Sequence, residues 1–194
     1  MKLVAVIPTL GERPELAPLI AQLVKEDIAV QVMARPGERL YALWNEGAAW
    51  AETQKADALA ILNDDIKLPP KTLKTMYEQM MTDEFDCVGV DPKAKFGIND
   101  KLETIEITGW VGKLMEEVTG WCFMVKKGKW QTIDEGYEWW WGNGDLFDKI
   151  TKAGGKLGQI KGLGIEHANE GTARNHIWTQ AAKVRDASRW RKLH

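Results

Sequence analysis

The stretch AILNDDIKLPP, Ala60–Pro70, runs from an apolar segment straight into Asn63-Asp64-Asp65 and then to a proline pair. Together with its two preceding residues the apolar part is ALAIL, Ala58–Leu62. No polar residue alternates along it, so it reads as a strand buried on both faces. Pro69 and Pro70 suit the first turn of a helix, and Leu73, Met76, Tyr77 and Met80 follow at helical spacing. A buried strand, an acidic turn and a helix make half of a βαβ unit. Because Asn and Asp favour turns, the acidic triplet is compatible with nothing more than a turn. Two carboxylates at a strand end equally suit a hard divalent cation.

Upstream, the same pattern occurs twice more. KLVAVIP (Lys2–Pro8) is an apolar run rich in Val and Ile, and Pro14–Lys25 then places Leu16, Leu19, Ile20, Leu23 and Val24 at helical spacing. IAVQVMA (Ile28–Ala34) reads as another strand; after a break at PGE, Arg39–Gln54 carries Leu40, Leu43, Trp44 and Ala48 on one helical stripe. This alternation predicts an α/β fold, a single domain with a mainly parallel sheet flanked by helices. Ligands on such sheets bind at the carboxyl ends of the strands. Pro8-Thr9, Arg35 and Asn63-Asp64-Asp65 all stand at such ends.

Downstream the rhythm changes. CVGV (Cys87–Val90) and GWCFMVKK (Gly120–Lys127) read as strands, and residues 91–119 as an irregular loop with an edge strand in LETIEITGWVG. GDLFDKITKAGG (Gly144–Gly155) has helical spacing and a glycine stop. GLGIEH reads as a last short strand, and Arg174–Leu193 as a basic C-terminal helix. No internal repeat, linker or low-complexity segment divides the chain.

The 194 residues are 44% apolar and 28% charged, which suits one globular domain, and the net charge of −2 offers no general basic field for nucleic acid. The opening apolar run is too short for a secretory leader, and none approaches the roughly 20 residues that span a bilayer. The expectation is a soluble, cytoplasmic chain. Cys87 and Cys122 lack ligand partners at metal spacing, so two buried thiols are expected. Ten Trp against three Tyr and four Phe offer flat surfaces for packing or for stacking on sugars and bases. Trp139-Trp140-Trp141 cannot all face a core, so at least one should reach a cleft or the surface. No G-x-G-x-x-G, P-loop or nucleophile elbow is present.

In order, VAVIPTLGERPEL, YALWNEGAAWA, LAILNDDIKLPPKTL, TGWCFMVKKGKW, IDEGYEWWWGNGDLFDKITKAGGKLG and GIEH resemble glycosyltransferase family 2, with its nucleotide-sugar-binding GT-A fold, over roughly residues 3–170. They look most like the compact bacteriophage members. The resemblance implies inverting transfer of a sugar from a nucleotide-diphosphate donor, a UDP-sugar foremost, to an acceptor hydroxyl with Mn²⁺ or Mg²⁺, in a bacterial or phage-infected cytoplasm. Residues 1–90 would be the nucleotide-binding half, 91–170 the acceptor and catalytic half, and 171–194 a helical tail. Pro8, Thr9 and Glu12 match the donor-binding first loop; Asn45 and Gly47 match an N-x-G near the nucleotide. Asn63-Asp64-Asp65 matches the D-x-D position, which makes Asp65 the metal ligand and Asp64 a contact to ribose or sugar, with Asn63 replacing the first Asp. His167 matches the histidine closing the metal–diphosphate site. Gly120 and Trp121 match the turn beside donor sugar and acceptor, and Trp140 and Trp141 are candidates for a sugar platform.

Two departures stand out. After the second strand the family has an acidic residue for the base or ribose, where this chain reads Ala34-Arg35-Pro36-Gly37. Where the family has its acceptor base, the line reads Gly142-Asn143-Gly144-Asp145, and an amide cannot take a proton as a carboxylate does. Asp145 is the nearest surviving carboxylate and the expected catalytic base; a helix N-terminal Asp satisfying free amides is an equal reading. Asp134 and Glu135 are further candidates. The tail carries Arg174, Lys183, Arg185, Arg189, Arg191 and Lys192 against Asp186, with Trp178 and Trp190 interleaved. It is either a solvated face or a contact for diphosphate or DNA, so the acceptors to consider are glycan, protein and a hydroxymethylated base in phage DNA. His176 and His194 read as surface or packing residues. A non-catalytic nucleotide-sugar- or glycan-binding domain and a nucleotidyltransferase remain alternatives.

Overall fold

A computed structural model describes residues 1–11, 13–35, 38–109, 111–168 and 177–193. Glu12, Pro36, Gly37, Arg174, His176 and His194, and the side chain of Trp178, lie outside the described residues.

Strands β1 (Leu3–Thr9), β2 (Ala29–Ala34) and β3 (Ala58–Leu62) form where the sequence alternation places them, with helices α1 (Leu16–Lys25) and α2 (Leu40–Thr53) between. After β4 (Ile66–Lys67) come α3 (Thr72–Thr82), β5 (Cys87–Val90), β6 (Gly97–Glu106), α4 (Val111–Glu117), β7 (Cys122–Lys126), α5 (Gly142–Lys152), β8 (Leu157–Gly164), β9 (Glu166–His167) and α6 (Ile177–Leu193). Seven strands make one sheet in the order β2-β1-β3-β7-β5-β8-β6, and β4 pairs with β9 apart from it.

The expected α/β sheet flanked by helices is present, and its strand directions are mixed. β1 runs parallel to β2 and β3, and β5 parallel to β8, whereas β7 is antiparallel to both its neighbours and β6 to β8. All residues of β1, β3 and β5 are buried, as strands covered on both faces require. Their period-2 alternation feeds two cores. Val4, Val6, Leu59 and Ile61 pack with Tyr41, Trp44, Leu146 and Phe147 from α2 and α5. Leu3, Ala5, Ile7, Ala60 and Leu62 pack with Leu19, Leu23, Leu73 and Met76 from α1 and α3.

Residues 91–119, read as an irregular loop with an edge strand, contain the ten-residue edge strand β6, which starts ahead of the expected stretch, and the helix α4. The expected GLGIEH strand belongs to the longer β8, followed by β9. Cys87 and Cys122 are free and buried, and burial pushes both thiols up, Cys122 to about 12. No described helix is long and apolar enough to cross a membrane.

Candidate active site

A cleft of about 640 Å³ opens at the carboxyl ends of β1, β2 and β3. Its floor carries Pro8 and Thr9 from the end of β1 and Asn63, Asp64 and Asp65 after β3. One wall carries Gly120, Trp121 and Asn143; another carries Trp139, Trp140 and Trp141. Arg35 and Glu38 line the side beyond β2, and Gln180 and Lys183 reach in from α6.

The acidic turn is pinned on both sides. The backbone N–H of Asn63 donates to the Trp121 carbonyl at 2.9 Å, and that of Ala168 to the Asp65 carbonyl at 2.9 Å. The β4–β9 pairing sets Ile66 opposite His167, and this register brings the imidazole to the turn from 102 residues downstream of Asp65 (167 − 65). His167 Nε2 lies 3.1 Å from Asp65 Oδ1 and 3.5 Å from Asn63 Nδ2. Asp65 Oδ1 is buried and accepts no well-formed hydrogen bond within the described residues. Trp121 stacks on the imidazole with centroids 4.8 Å apart and planes at 10°, which fixes the ring's orientation.

The two carboxyls of this turn respond oppositely to their surroundings. Burial pushes Asp64 above the usual range, and the Asp65 charge adds to the rise; the Thr9 hydroxyl, which donates to Asp64, offsets only part of it. Burial also acts to raise Asp65, but the His167 contact and charge, with Arg13, outweigh it and hold the group below its usual range. Arg13, near enough to both to favour their charged forms, carries no sequence motif that would mark it. Thr9 is fixed in turn by the Gly11 N–H, which donates to its Oγ1 at 2.9 Å.

A metal here would draw on few protein ligands. Among the described residues no three His, Cys, Asp or Glu side chains converge as a cage. Asp65 Oδ1 and His167 Nε2 nevertheless face one another 3.1 Å apart, the spacing of two adjacent ligands each about 2.1 Å from one ion. A buried carboxylate oxygen facing an imidazole nitrogen suits two protein ligands of one such ion.

The expected base, Asp145, is placed elsewhere. It is 1% exposed and does not line the cleft; its Oδ2 accepts from Lys149 Nζ at 2.7 Å and from the Asp134 N–H at 2.9 Å. Lys149 also donates to the Thr132 carbonyl at 2.7 Å, so the pair staples residues 132–134 to α5. Asn143 is the α5 residue on the cleft, 8% exposed, and so close to Gly120 that a Cβ there would sit 3.0 Å from its Nδ2. Asp134 is held by Arg189, and neither Asp134 nor Glu135 lines the cleft.

Asn45 and Gly47, expected near the nucleotide, serve the scaffold. Asn45 accepts from the Ile133 N–H at 3.0 Å and donates to the Ile133 carbonyl at 2.9 Å, bracketing the loop before α5. Gly47 lets α2 lie on β1, since a Cβ would come within 2.7 Å of Val6. Arg35 grips Glu46 through two bonds of 2.6 and 2.7 Å, so the cation standing where the family has an acid carries its own counter-charge.

The tryptophan run is tied to the tail helix. Asp186, 1% exposed, accepts from the backbone N–H groups of Glu138, Trp139 and Trp140 at 2.8–3.0 Å. Trp140 Nε1 donates to the Thr179 carbonyl at 2.8 Å, and Trp141 stacks on Trp190 at 5.7 Å. Trp141 itself is left-handed (φ 68°), a strained state for a bulky residue. All three tryptophans are half-buried and line the cleft. Two cations of the tail brace this wall: Arg185 pairs with Glu138 and Arg189 with Asp134.

The fold is similar to that in the crystal structure of A197 from STIV, with a TM-score of 0.56 and 16% identity over 86% of this chain and 85% of that one. It is also similar to S. aureus TarS, with a TM-score of 0.52 and 12% identity, covering 82% of this chain and 35% of TarS. At these identities the likeness is one of fold, and the chain spans about a third of TarS. No curated protein sequence matches. The model of the family described as glycosyl transferase family 2 matches residues 5–142, from β1 through the Trp139–Trp141 wall to the start of α5. With its GT-A-type α/β fold, the chain belongs to glycosyl transferase family 2.

Proposed function

We propose that this chain transfers a sugar from a nucleotide-diphosphate donor to an acceptor hydroxyl, with the diphosphate seated at Asp65 and His167. The observation that carries this reading is the buried Asp65 Oδ1 facing His167 Nε2 at 3.1 Å, at the strand-end edge where an α/β sheet binds ligands. A divalent cation, Mn²⁺ or Mg²⁺, held by those two residues would neutralise charge on the departing diphosphate.

The remaining residues bind and orient. Thr9 and Asp64, joined by a hydrogen bond, offer acceptor oxygens to ribose or sugar hydroxyls, beside Pro8. Trp121 holds the imidazole flat, and its indole screens that side of the site from water. Trp140 and Trp141 give the transferred or accepting sugar an apolar face. Asn143, on the cleft beside Gly120, accepts a hydrogen bond from the incoming hydroxyl and aligns it, and the hydroxyl proton leaves to solvent or to the departing diphosphate, which gains negative charge as the sugar departs. Asp145 acts through the scaffold, by fixing the loop that carries this wall.

The test is a donor screen. The protein is mixed with UDP-, GDP-, ADP- and CDP-sugars and Mn²⁺ or Mg²⁺, with thermal stabilisation and nucleotide release both recorded; glycan, protein and hydroxymethylated duplex DNA serve as acceptors. Stabilisation and release with one donor, a UDP-sugar foremost, is the expected result. Stabilisation without turnover on any acceptor would make the domain a binding module, and no stabilisation by any donor would end the transferase reading. The pairing of Arg185 and Arg189 within the chain weighs against DNA among the acceptors.

A further inference from the structure

Helix α6 lies beyond the segment that matches the family, yet it supplies part of the cleft wall through Gln180 and Lys183. Its cations differ in what they meet. Arg185 grips Glu138 with two bonds of 2.6 Å, and Arg189 grips Asp134 at 2.7 and 2.9 Å. Lys183 makes no ion pair among the described residues. Its Nζ stands 5.2 Å from the centre of the Trp140 ring. An indole face holds an ammonium in place without neutralising it, so the three N–H donors keep their charge for another ligand.

The corner is built in advance. Trp140 is fixed at its backbone N–H by Asp186 and at its indole N–H by the Thr179 carbonyl. Thr179, Lys183 and Asp186 share α6, so the ring and the ammonium are set by one rigid element. Elsewhere on the cleft Arg35 is paired with Glu46, while Glu38, Asp64 and Asp65 contribute negative charge. Lys183 is thus the lining cation without a carboxylate partner among the described residues.

We propose that Trp140 and Lys183 form an acceptor subsite for a negatively charged group, a phosphate or carboxylate carried next to the sugar or polyol that meets the indole. This rests on the transferase reading. The acceptor is favoured over the donor as the source of the anion for two reasons. The donor diphosphate has its own place at Asp65 and His167, and Lys183 comes from a helix outside the matched segment. A point charge beside an aromatic platform selects an anionic polyhydroxyl ligand over a neutral one.

Calorimetric titration tests this. Wild type, Lys183→Gln and Lys183→Arg are each titrated with UDP, GDP, ADP and CDP in Mn²⁺. Each is then titrated, with and without the best of these, with glycerol 3-phosphate and with glycerol. Lys183 is exposed, and melting curves confirm that the variants are folded. Expected are binding of glycerol 3-phosphate but not glycerol, a loss of tenfold or more in Lys183→Gln, retention within about threefold in Lys183→Arg, and unchanged nucleotide affinity. No binding of glycerol 3-phosphate to wild type, or equal binding by Lys183→Gln, overturns the subsite. A parallel loss of nucleotide affinity in Lys183→Gln assigns the cation to the donor and overturns the acceptor assignment. Glycerol 3-phosphate binding with no nucleoside diphosphate binding overturns the transferase reading itself.

Discussion

Asp64 and Asp65 are neighbours in sequence whose carboxyls are shifted in opposite senses, and linkage gives those shifts opposite consequences. Asp65, lowered in the fold, contributes stability that is present above its unfolded pKa and lost as pH falls through the folded one. Asp64, raised in the fold, contributes stability below its unfolded pKa that is lost as pH rises through the folded one. Ionisation of Asp64 therefore opposes folding, a cost that a ligand-binding role would explain. Asp64→Asn should melt at or above the wild-type temperature at pH 7 while nucleoside diphosphate affinity falls at least tenfold; a lower melting temperature with intact affinity would make Asp64 structural. At position 143 the cleft presents an amide, so Asn143→Asp should raise transfer at least tenfold, near the low end of general-base effects of about 10²–10⁴. Its rate should climb with pH through the ionisation of the new carboxyl; an unchanged rate and pH profile would remove position 143 from the acceptor site. The sequence pointed instead to Asp145, the nearest acid. Two residues along a helix turn the side chain by about 200°, which carries Asp145 off the cleft face of Asn143 and into the Lys149 staple. Asp65 was legible because a strand end and a turn are local features. Its meeting with His167, far downstream in the chain, was not.

At the scale of elements, α6 and the Trp139–Trp141 run stabilise one another through a single buried carboxylate. Asp186→Ala leaves three backbone N–H groups without their acceptor. Hydrogen bonds to a charged group contribute about 1.5–3 kcal/mol each and are not additive, so a loss of about 3 kcal/mol is expected, seen as a fall of roughly 6–12 °C in Tm. A change under 2 °C would show that the amides find other partners. The outer pairs respond to acid. Arg189 beside Asp134, and Arg185 beside Glu138, hold those carboxyls below their usual ranges. Their support is present above the unfolded pKa values and disappears as pH falls through the folded ones. Near-ultraviolet circular dichroism of the tryptophans should accordingly decline below about pH 4, and at higher pH in Arg189→Ala than in wild type. Identical profiles would leave that pair without influence on the wall. None of this was visible in the tail's composition, which shows six basic residues and one Asp; the partners of the two arginines lie 47 and 55 residues upstream. Strand β8 was hidden differently. LGQIKGLG lacks a strand's apolar alternation, and its Gln159 is buried because its Nε2 donates to the Glu117 carbonyl at 2.6 Å, at the end of α4.

Across the whole molecule, β7 joins two parallel groups, β2-β1-β3 and β5-β8, by running antiparallel to both. The first group was readable from its apolar runs, and it fixes the ligand edge of the cleft. The second depends on pairings between distant segments, and it brings in what the first lacks: Gly120 and Trp121 ahead of β7, Asn143 on α5, and His167 through the β4–β9 pairing. The site is thus built from both ends of the chain, and the proposed chemistry rests on the meeting of Asp65 with His167. The most direct test is titration of nucleoside diphosphates into wild type, Asp65→Asn and His167→Ala, with Mn²⁺ and with a chelator. One nucleotide should bind wild type with Mn²⁺, lose at least tenfold in affinity on chelation, and show the same loss in both variants without further dependence on the metal. Binding that is indifferent to chelation and to both substitutions would contradict a metal–diphosphate site at Asp65 and His167.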